Sequence, residues 1–208
     1  VLLGISGGID SLSMLEIIAN RRLSMPFGFE LQAMHVIIED APENANLEYI
    51  REFCHKVNVP LLAEKVIAGF DSGSGKSPCF KCAWHRRKAV FQKAEVENYN
   101  KIAFAHHMDD ALETLLMNMT YHGEFSSFPP VLHIKKGNFR LIRPMILLSK
   151  EEIVRYAELH DIRSAEGQCP FEAENKREAF RDILKVLISK HKHARINLFN
   201  SMSNVNWE

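Results

Sequence analysis

A chain of 208 residues with 46% hydrophobic and 25% charged residues can bury one substantial core and lies outside the compositions of disordered or fibrous proteins. Its 26 basic residues balance 26 acidic ones, so no global field marks it as a polyanion binder, and no apolar run is long enough to cross a bilayer. Four cysteines, two of them in a C-x-x-C, point to metal or redox use in a reducing, cytoplasmic setting rather than to a disulfide scaffold.

Short apolar runs alternate with helical patterns along the chain. This predicts an α/β fold: a doubly wound, mainly parallel sheet with helices on both faces. The first run, VLLGI at 1–5, leads through GISGGIDS into a helix whose apolar face is Leu12, Leu15, Ile18 and Ala19. LQAMHVII at 31–38 reads as the second strand, and Leu47, Ile50, Phe53, Cys54 and Val57 mark the helix after it. PLLAEKVI at 60–67 is the third strand, followed by a Gly/Ser/Pro-rich loop over 69–78 and then the helix-like AWHRRKAVFQKA. KIAFAHH at 101–107 precedes a helix carrying Leu112, Leu115, Leu116 and Met119, and the segment 122–138 reads as a long loop. FRLIRPMI at 139–146 is the last predicted strand. Ser149 and Glu152 form a capping box opening a helix over 150–160, and Phe180, Ile183, Leu184, Leu187 and Ile188 stripe a final helix. The whole of 1–208 reads as one domain, with 170–208 as a helical tail suited to contacting nucleic acid.

In such a sheet, chemistry gathers where strands end and helices begin. Ser6, Gly7, Gly8, Asp10 and Ser11 lie at one such junction. Glycines let the backbone approach an anion closely, and the following helix points unsatisfied N–H groups and its positive end toward it. The plain alternative is a tight turn with Ser11 as a helix cap. FDSGSGKS at 70–77 invites a Walker A reading, but its first glycine is displaced by one residue, and Pro78 and Cys79 delay the helix that should follow. AHHMDDALET at 105–114 forms a second junction. Its simple reading has Asp110 capping the helix and Glu113 completing a box; its functional reading has Asp110, with Asp109, holding a Mg²⁺ ion on nucleotide phosphates.

Cys79 and Cys82 stand at a helix start near Arg86, Arg87 and Lys88, where a thiolate is stabilised. Cys169 is the candidate third member, whereas Cys54 belongs to an apolar helix face. Structural zinc would need a fourth ligand such as His85. A redox pair would leave Cys169 idle, and a four-iron cluster on three cysteines would leave one iron open.

The pattern S-G-G-x-D-S at Ser6–Ser11 resembles the PP-loop ATPases, which cleave ATP between its α and β phosphates. C-x-x-C-x-x-x-R at 79–86, HH-x-DD-x-x-ET at 106–114, I-R-P at 142–144 and a late cysteine extend the likeness. Together they resemble the TtcA family of tRNA 2-thiocytidine synthetases, and less closely the 2-thiouridine enzymes. The resemblance implies that ATP adenylates the C2 oxygen of a cytidine in the tRNA anticodon loop, which sulfur then replaces. By the same likeness Cys79, Cys82 and Cys169 hold a [4Fe-4S] cluster, and Asp110 serves the nucleotide or Mg²⁺. Ser6, Gly7, Gly8, Asp10, Ser11, His35, His106 and Arg143 line the ATP site, and Arg86 lies near the activated base. Implied partners are tRNA, a sulfur donor such as a cysteine desulfurase or sulfide, and a second copy in a homodimer, with no membrane. The segment GQCPFEAENKRE departs from many members in having one cysteine where they have C-x-x-C. A lysidine-synthetase-like ligase and a zinc-stabilised nucleic-acid-binding module are the competing expectations. Arg177, Arg181 and Lys185, with Lys190, Lys192 and Arg195, are expected to form a phosphate-contacting face.

Overall fold

The computed structural model describes residues 1–41, 45–70, 77–167 and 176–205. The chain runs β1 (Leu2–Gly4), α1 (Ile9–Ser24), β2 (Gln32–Ile38), α2 (Leu47–Lys56), β3 (Leu61–Val66), α3 (Pro78–Val96), β4 (Lys101–Ala103), α4 (Met108–His122), β5 (Val131–Ile134), β6 (Phe139–Ile142), α5 (Lys150–Leu159), α6 (Lys176–Ser189) and α7 (Ala194–Ser201). The six strands form one sheet in the order β3-β2-β1-β4-β6-β5. All pairs are parallel except β5–β6. Each predicted strand is present, with ends trimmed to the paired residues.

Alternation along the strands divides the core. Leu3, Ala33 and Ala103 face one side and pack with Leu12, Leu15, Ile50, Phe53 and Ile153 of α1, α2 and α5. Leu2, Met34, Val36, Ile102 and Leu141 face the other side and pack with Ala89, Val90 and Ala94 of α3. Each wholly buried aliphatic side chain of this kind stabilises the fold by about 1.5–3 kcal/mol. A third cluster joins Met108, Leu112 and Leu115 of α4 to Leu184 of α6, with Leu198 and Phe199 of α7 against it.

Three readings of the sequence need correction. The segment 122–138 is not all loop, because β5 lies within it and pairs antiparallel with β6 through Ile134↔Phe139. As an edge strand with exposed Val131, Leu132 and His133, β5 lacks the alternation that betrays a half-buried strand. Second, α3 starts at Pro78 itself, with Ser77 as N-cap accepting from Phe80 N at 3.3 Å. Proline is favoured there because the missing N–H would have no partner anyway, so Pro78 opens the helix rather than delaying it. The failed glycine spacing is what still argues against Walker A, and residues 71–76 lie outside the described residues. Third, α7 follows α6, although ARINLFNS shows no apolar stripe of its own.

Strand order reverses between β1 and β4: β2 and β3 lie to one side of β1, and β4 begins the other. Segments leaving these two adjacent parallel strands must diverge and leave a crevice at their carboxyl ends. Both predicted junctions, after β1 and after β4, open there.

Candidate nucleotide and cysteine site

Helix α1 begins at Ile9 behind Gly8, and no side chain caps it. Ser11 is therefore not the cap of a plain turn. Its hydroxyl donates to Gly8 O at 2.9 Å and accepts from Gly7 N at 3.2 Å, while Gly8 N donates to Ser6 Oγ at 3.2 Å. Gly7 has φ +102°, which favours glycine, and a Cβ there would press on Ala45 at 3.1 Å. The result is a stiffened loop with small residues whose following helix keeps its N-terminal positive end uncovered by any cap, which is what an anion needs.

The loop is not bare. Ser6 Oγ donates to Glu166 Oε1 at 3.1 Å, and a Cβ on Gly8 would fall 2.7 Å from that oxygen. Ala165 N donates to Gly7 O at 2.8 Å, and Asn46 N to Ala165 O at 2.7 Å. A carboxylate thus lies against the loop, on a segment that leads two residues beyond Gly167 to Cys169. Cys169 itself lies outside the described residues.

At the second junction the cap is His107, not Asp110. The His107 side chain accepts from Asp110 N, and Asp110 Oδ2 accepts from His107 N at 3.0 Å, closing a reciprocal box without Glu113. Glu113 instead pairs with Arg181 at 3.2 Å, and burial raises its carboxyl above the ordinary carboxylate value. His107 Nε2 stands 3.4 Å from Asp110 Oδ2 and 3.9 Å from Asp10 Oδ2, so one buried imidazole bridges the two loops. Lys150, the first residue of α5, clamps Asp10 with Nζ at 2.5 and 2.7 Å. Its backbone N–H donates to Asp109 Oδ2 at 2.7 Å, and Arg195 Nε reaches Asp109 Oδ1 at 3.0 Å. Asp109 is thereby fixed as a structural tie, and Asp10 and Asp110 are the more exposed carboxylates of the two loops. Nothing in the sequence singles out Lys150: a lysine in a helix's first turn opposes the dipole and calls for a carboxylate, but does not say which one.

His106 and His107 lie between the end of β4 at Ala103 and the start of α4 at Met108, and the linking segment turns them to different sides. His106 turns to the α3 face, against Phe104 and Phe128 at ring distances of 5.9 and 5.0 Å, with Arg143 stacked 4.6 Å over Phe128. Burial is the main reason its pKa falls to about 4, so it is neutral at pH 7. The structure brings His106 and Arg143 to each other and sets His107, rather than His106, beside the loop acids. His35 Nδ1 meets Ile5 O at 2.8 Å, just ahead of Ser6. Burial lowers its pKa too, and the neutral ring donates from Nδ1 and leaves Nε2 as a buried acceptor without a protein partner among the described residues.

Cys79 and Cys82 lie one helical turn apart at the start of α3, partly exposed, on the carboxyl edge shared with Ser6 and Asp110. Arg86, one turn further, is near enough for its charge to help depress His35, and its Nε is buried without a partner among the described residues. Paired thiols beside a guanidinium suit a soft metal centre. Among the described residues no group of three ligands is complete. Cys54, by contrast, is buried in α2 with its thiol pushed up to about 11, as its apolar position implied.

A glycine-loop crevice at the switch point of a doubly wound sheet defines a nucleotide-handling α/β protein. The chain belongs to the PP-loop domain family, whose model matches residues 1–187. It is 32% identical to the tRNA-cytidine(32) 2-sulfurtransferase of Marinobacter nauticus, covering 99% of this chain and 69% of that protein. With the enzyme of the same name from Chromohalobacter salexigens it shares 30% identity, over 99% and 73% of the two chains. The U34-tRNA thiolase NcsA from Methanococcus maripaludis, solved with its [4Fe-4S] cluster, superposes with a TM-score of 0.78 at 20% identity, over 98% of this chain and 70% of that one.

Proposed function

We propose that this chain is an ATP-dependent tRNA sulfurtransferase that exchanges the C2 oxygen of an anticodon-loop cytidine for sulfur. The observation that carries the reading is the convergence, at one sheet edge, of the uncapped α1 loop, the Asp10–His107–Asp110 constellation and the cysteine-bearing start of α3. The PP-loop family supports the nucleotide, the relatives' names support the RNA and the sulfur transfer, and the shared sheet edge supports assigning the reacting groups to these residues.

A pyrimidine carbonyl oxygen leaves poorly, and adenylation converts it to a phosphate ester that leaves well. The C2 oxygen attacks the α-phosphorus, and the α–β bond breaks. Charge then grows on the departing pyrophosphate, where the Gly7 and Gly8 loop and the N-terminus of α1 receive it. A Mg²⁺ ion carried by the nucleotide fits Asp110, with Asp10 once Lys150 yields it. Arg86, with its unsatisfied Nε, faces the same edge and would neutralise the α-phosphate or hold the base. When bound, a [4Fe-4S] cluster on Cys79, Cys82 and Cys169 supplies the sulfur-presenting site. A new C–S bond replaces the C–O bond and AMP departs. The target must be unstacked, which a single-stranded loop permits more cheaply than a duplex. The sulfur donor is sulfide, or a cysteine desulfurase whose persulfide sulfur a thiol reduces to the sulfide level, in the cytoplasm, and the working unit is a homodimer.

The test is anaerobic purification with counts of iron, labile sulfide and zinc, followed by ATP turnover on cytidine-containing tRNA with mass analysis of its nucleosides. Iron, AMP, pyrophosphate and a thiolated cytidine are expected. Zinc without ATP turnover, or amine incorporation without iron, overturns the assignment.

A further inference from the structure

A cavity of about 660 Å³ lies beneath α3, on the side of the sheet away from α1. Its origin is topological. Helix α3 covers β1 to β4, and among the described residues the α3 face of β6 and β5 is left open beyond it. The floor is aromatic: Phe91 stands 5.5 Å from Phe139 and 6.3 Å from Phe104. One wall is the stripe Trp84, Arg87, Lys88 and Phe91 of α3, spaced i, i+3, i+4, i+7 and therefore on one helix face. The upper rim is His106 and Arg143, at the same carboxyl edge as the cysteines. The groove follows β6 down to Lys136 in the β5–β6 turn.

The lining is chemically particular. Trp84 is 44% exposed, with Lys88 Nζ 4.9 Å over its ring, so it offers a large π-face already paired with a cation. Arg87, Lys88, Lys136 and Arg143 face Glu95 as the single lining acid, so the charge favours an anion. Arg143 is 7% exposed and its Nε has no hydrogen-bond partner among the described residues. The same holds for His106 Nδ1. Buried, unsatisfied hydrogen-bonding atoms at a wet rim are costly unless a ligand meets them. Planar π-faces, cations and uncharged hydrogen-bonding groups in one groove match a nucleotide: a base to stack, a phosphate to neutralise and base edges to read. A helix-docking groove would lack the cations, and a simple anion site would not need the exposed tryptophan.

We propose that this groove binds an unstacked nucleotide of the RNA, close in sequence to the one that reacts. The proposal rests on the tRNA reading above and deepens it. Cys79, Cys82 and Arg86 form the opposite stripe of α3, but Trp84 lies only two residues past Cys82 and the His106–Arg143 rim reaches the same carboxyl edge, so one RNA strand passing over that rim can set one base against Trp84 and another at the cysteine edge. By this assignment Trp84 holds the loop open and contributes to positioning the substrate, not to the chemistry.

The experiment uses reconstituted holoprotein, intact tRNA and a stem-loop RNA carrying 2-aminopurine beside the target cytidine. Trp84→Ala is expected to raise the KM for tRNA by about 5- to 100-fold with the KM for ATP unchanged. Trp84→Phe should recover most of the loss, and Lys88→Gln should flatten the salt dependence of binding. The 2-aminopurine emission, quenched on wild-type protein, should remain high on Trp84→Ala. If wild-type protein thiolates tRNA while Trp84→Ala keeps its tRNA KM and its quenching, or changes only the oligomeric state, the groove proposal is overturned. If wild-type protein neither binds nor thiolates tRNA, the functional reading itself fails.

Discussion

Two side chains at the crevice can be tested singly. Glu166 lies against the loop that would receive pyrophosphate, so bound nucleotide must displace it or repel it. Because it is exposed, its charge is worth little: Glu166→Gln is expected to tighten ATP binding by about fivefold in titration calorimetry, and weaker binding would show the carboxylate to be a ligand instead. His106 gives a pH signature. Its folded pKa of about 4 is below the 6.5 of an unfolded histidine, so as pH falls the unfolded chain takes the proton first. The resulting stability is complete above pH 6.5 and is lost progressively toward pH 4. Compared with His106→Gln, the wild type should lose on the order of 2–3 kcal/mol over that window in denaturant titrations. Parallel curves for the two proteins would show that the ring is solvated.

Among the elements, the C-terminal helices hold the carboxyl edge of the sheet more than they decorate the surface. Arg177 approaches Asp110 at 4.0 Å, Arg181 pairs with Glu113, and Arg195 bridges Asp109 and Glu151 at 3.0 and 2.6 Å. Three of the six basic residues expected to face RNA thus turn toward acids of α4 and α5, while Lys185 pairs with Asp182 and Lys190 and Lys192 are exposed. Helical spacing showed that these cations share a face, but not that α4 supplies the opposite charge. Arg195→Met keeps the apolar stem and removes the bridge to a largely buried carboxylate. The expected cost is about 1–3 kcal/mol, a melting point lower by roughly 5 °C, with partial recovery in Arg195→Lys. An unchanged melting point would reduce the bridge to a surface contact.

For the whole molecule, the strand order decides what meets what. The loop after β1 and the loop after β4 are about a hundred residues apart in sequence, yet they flank the one position where the sheet reverses direction. The β3–α3 crossover returns Cys79 and Cys82 to that edge, and the segment ending at Gly167 comes back to hydrogen-bond with Gly7. Among the described residues the same topology leaves β5 and β6 uncovered beneath α3 and so creates the basic aromatic groove. Neutral net charge conceals this arrangement, because Arg87 and Lys88 of α3 gather with Lys136 and Arg143 around the groove while the cations of α6 and α7 are partly neutralised by α4.

Local chemistry was sufficient for much of this. Apolar period marked five strands, the Ser149–Glu152 box is present as read, Cys54 sits in the core, and the glycines and serines of the first loop were identifiable because backbone freedom and phosphate binding both demand small residues. What sequence left undetermined depends on partners distant along the chain. It gave no sign that Lys150 would clamp Asp10, that Glu166 would lie on the loop, or that β5 would pair at an edge. Nor could it tell which of two adjacent histidines would lie beside the loop acids, since that depends on how the segment between β4 and α4 turns against its neighbours. Residue types and spacing fix which groups can do chemistry; only the closed sheet, by choosing faces and bringing strand ends together, decides which of them meet.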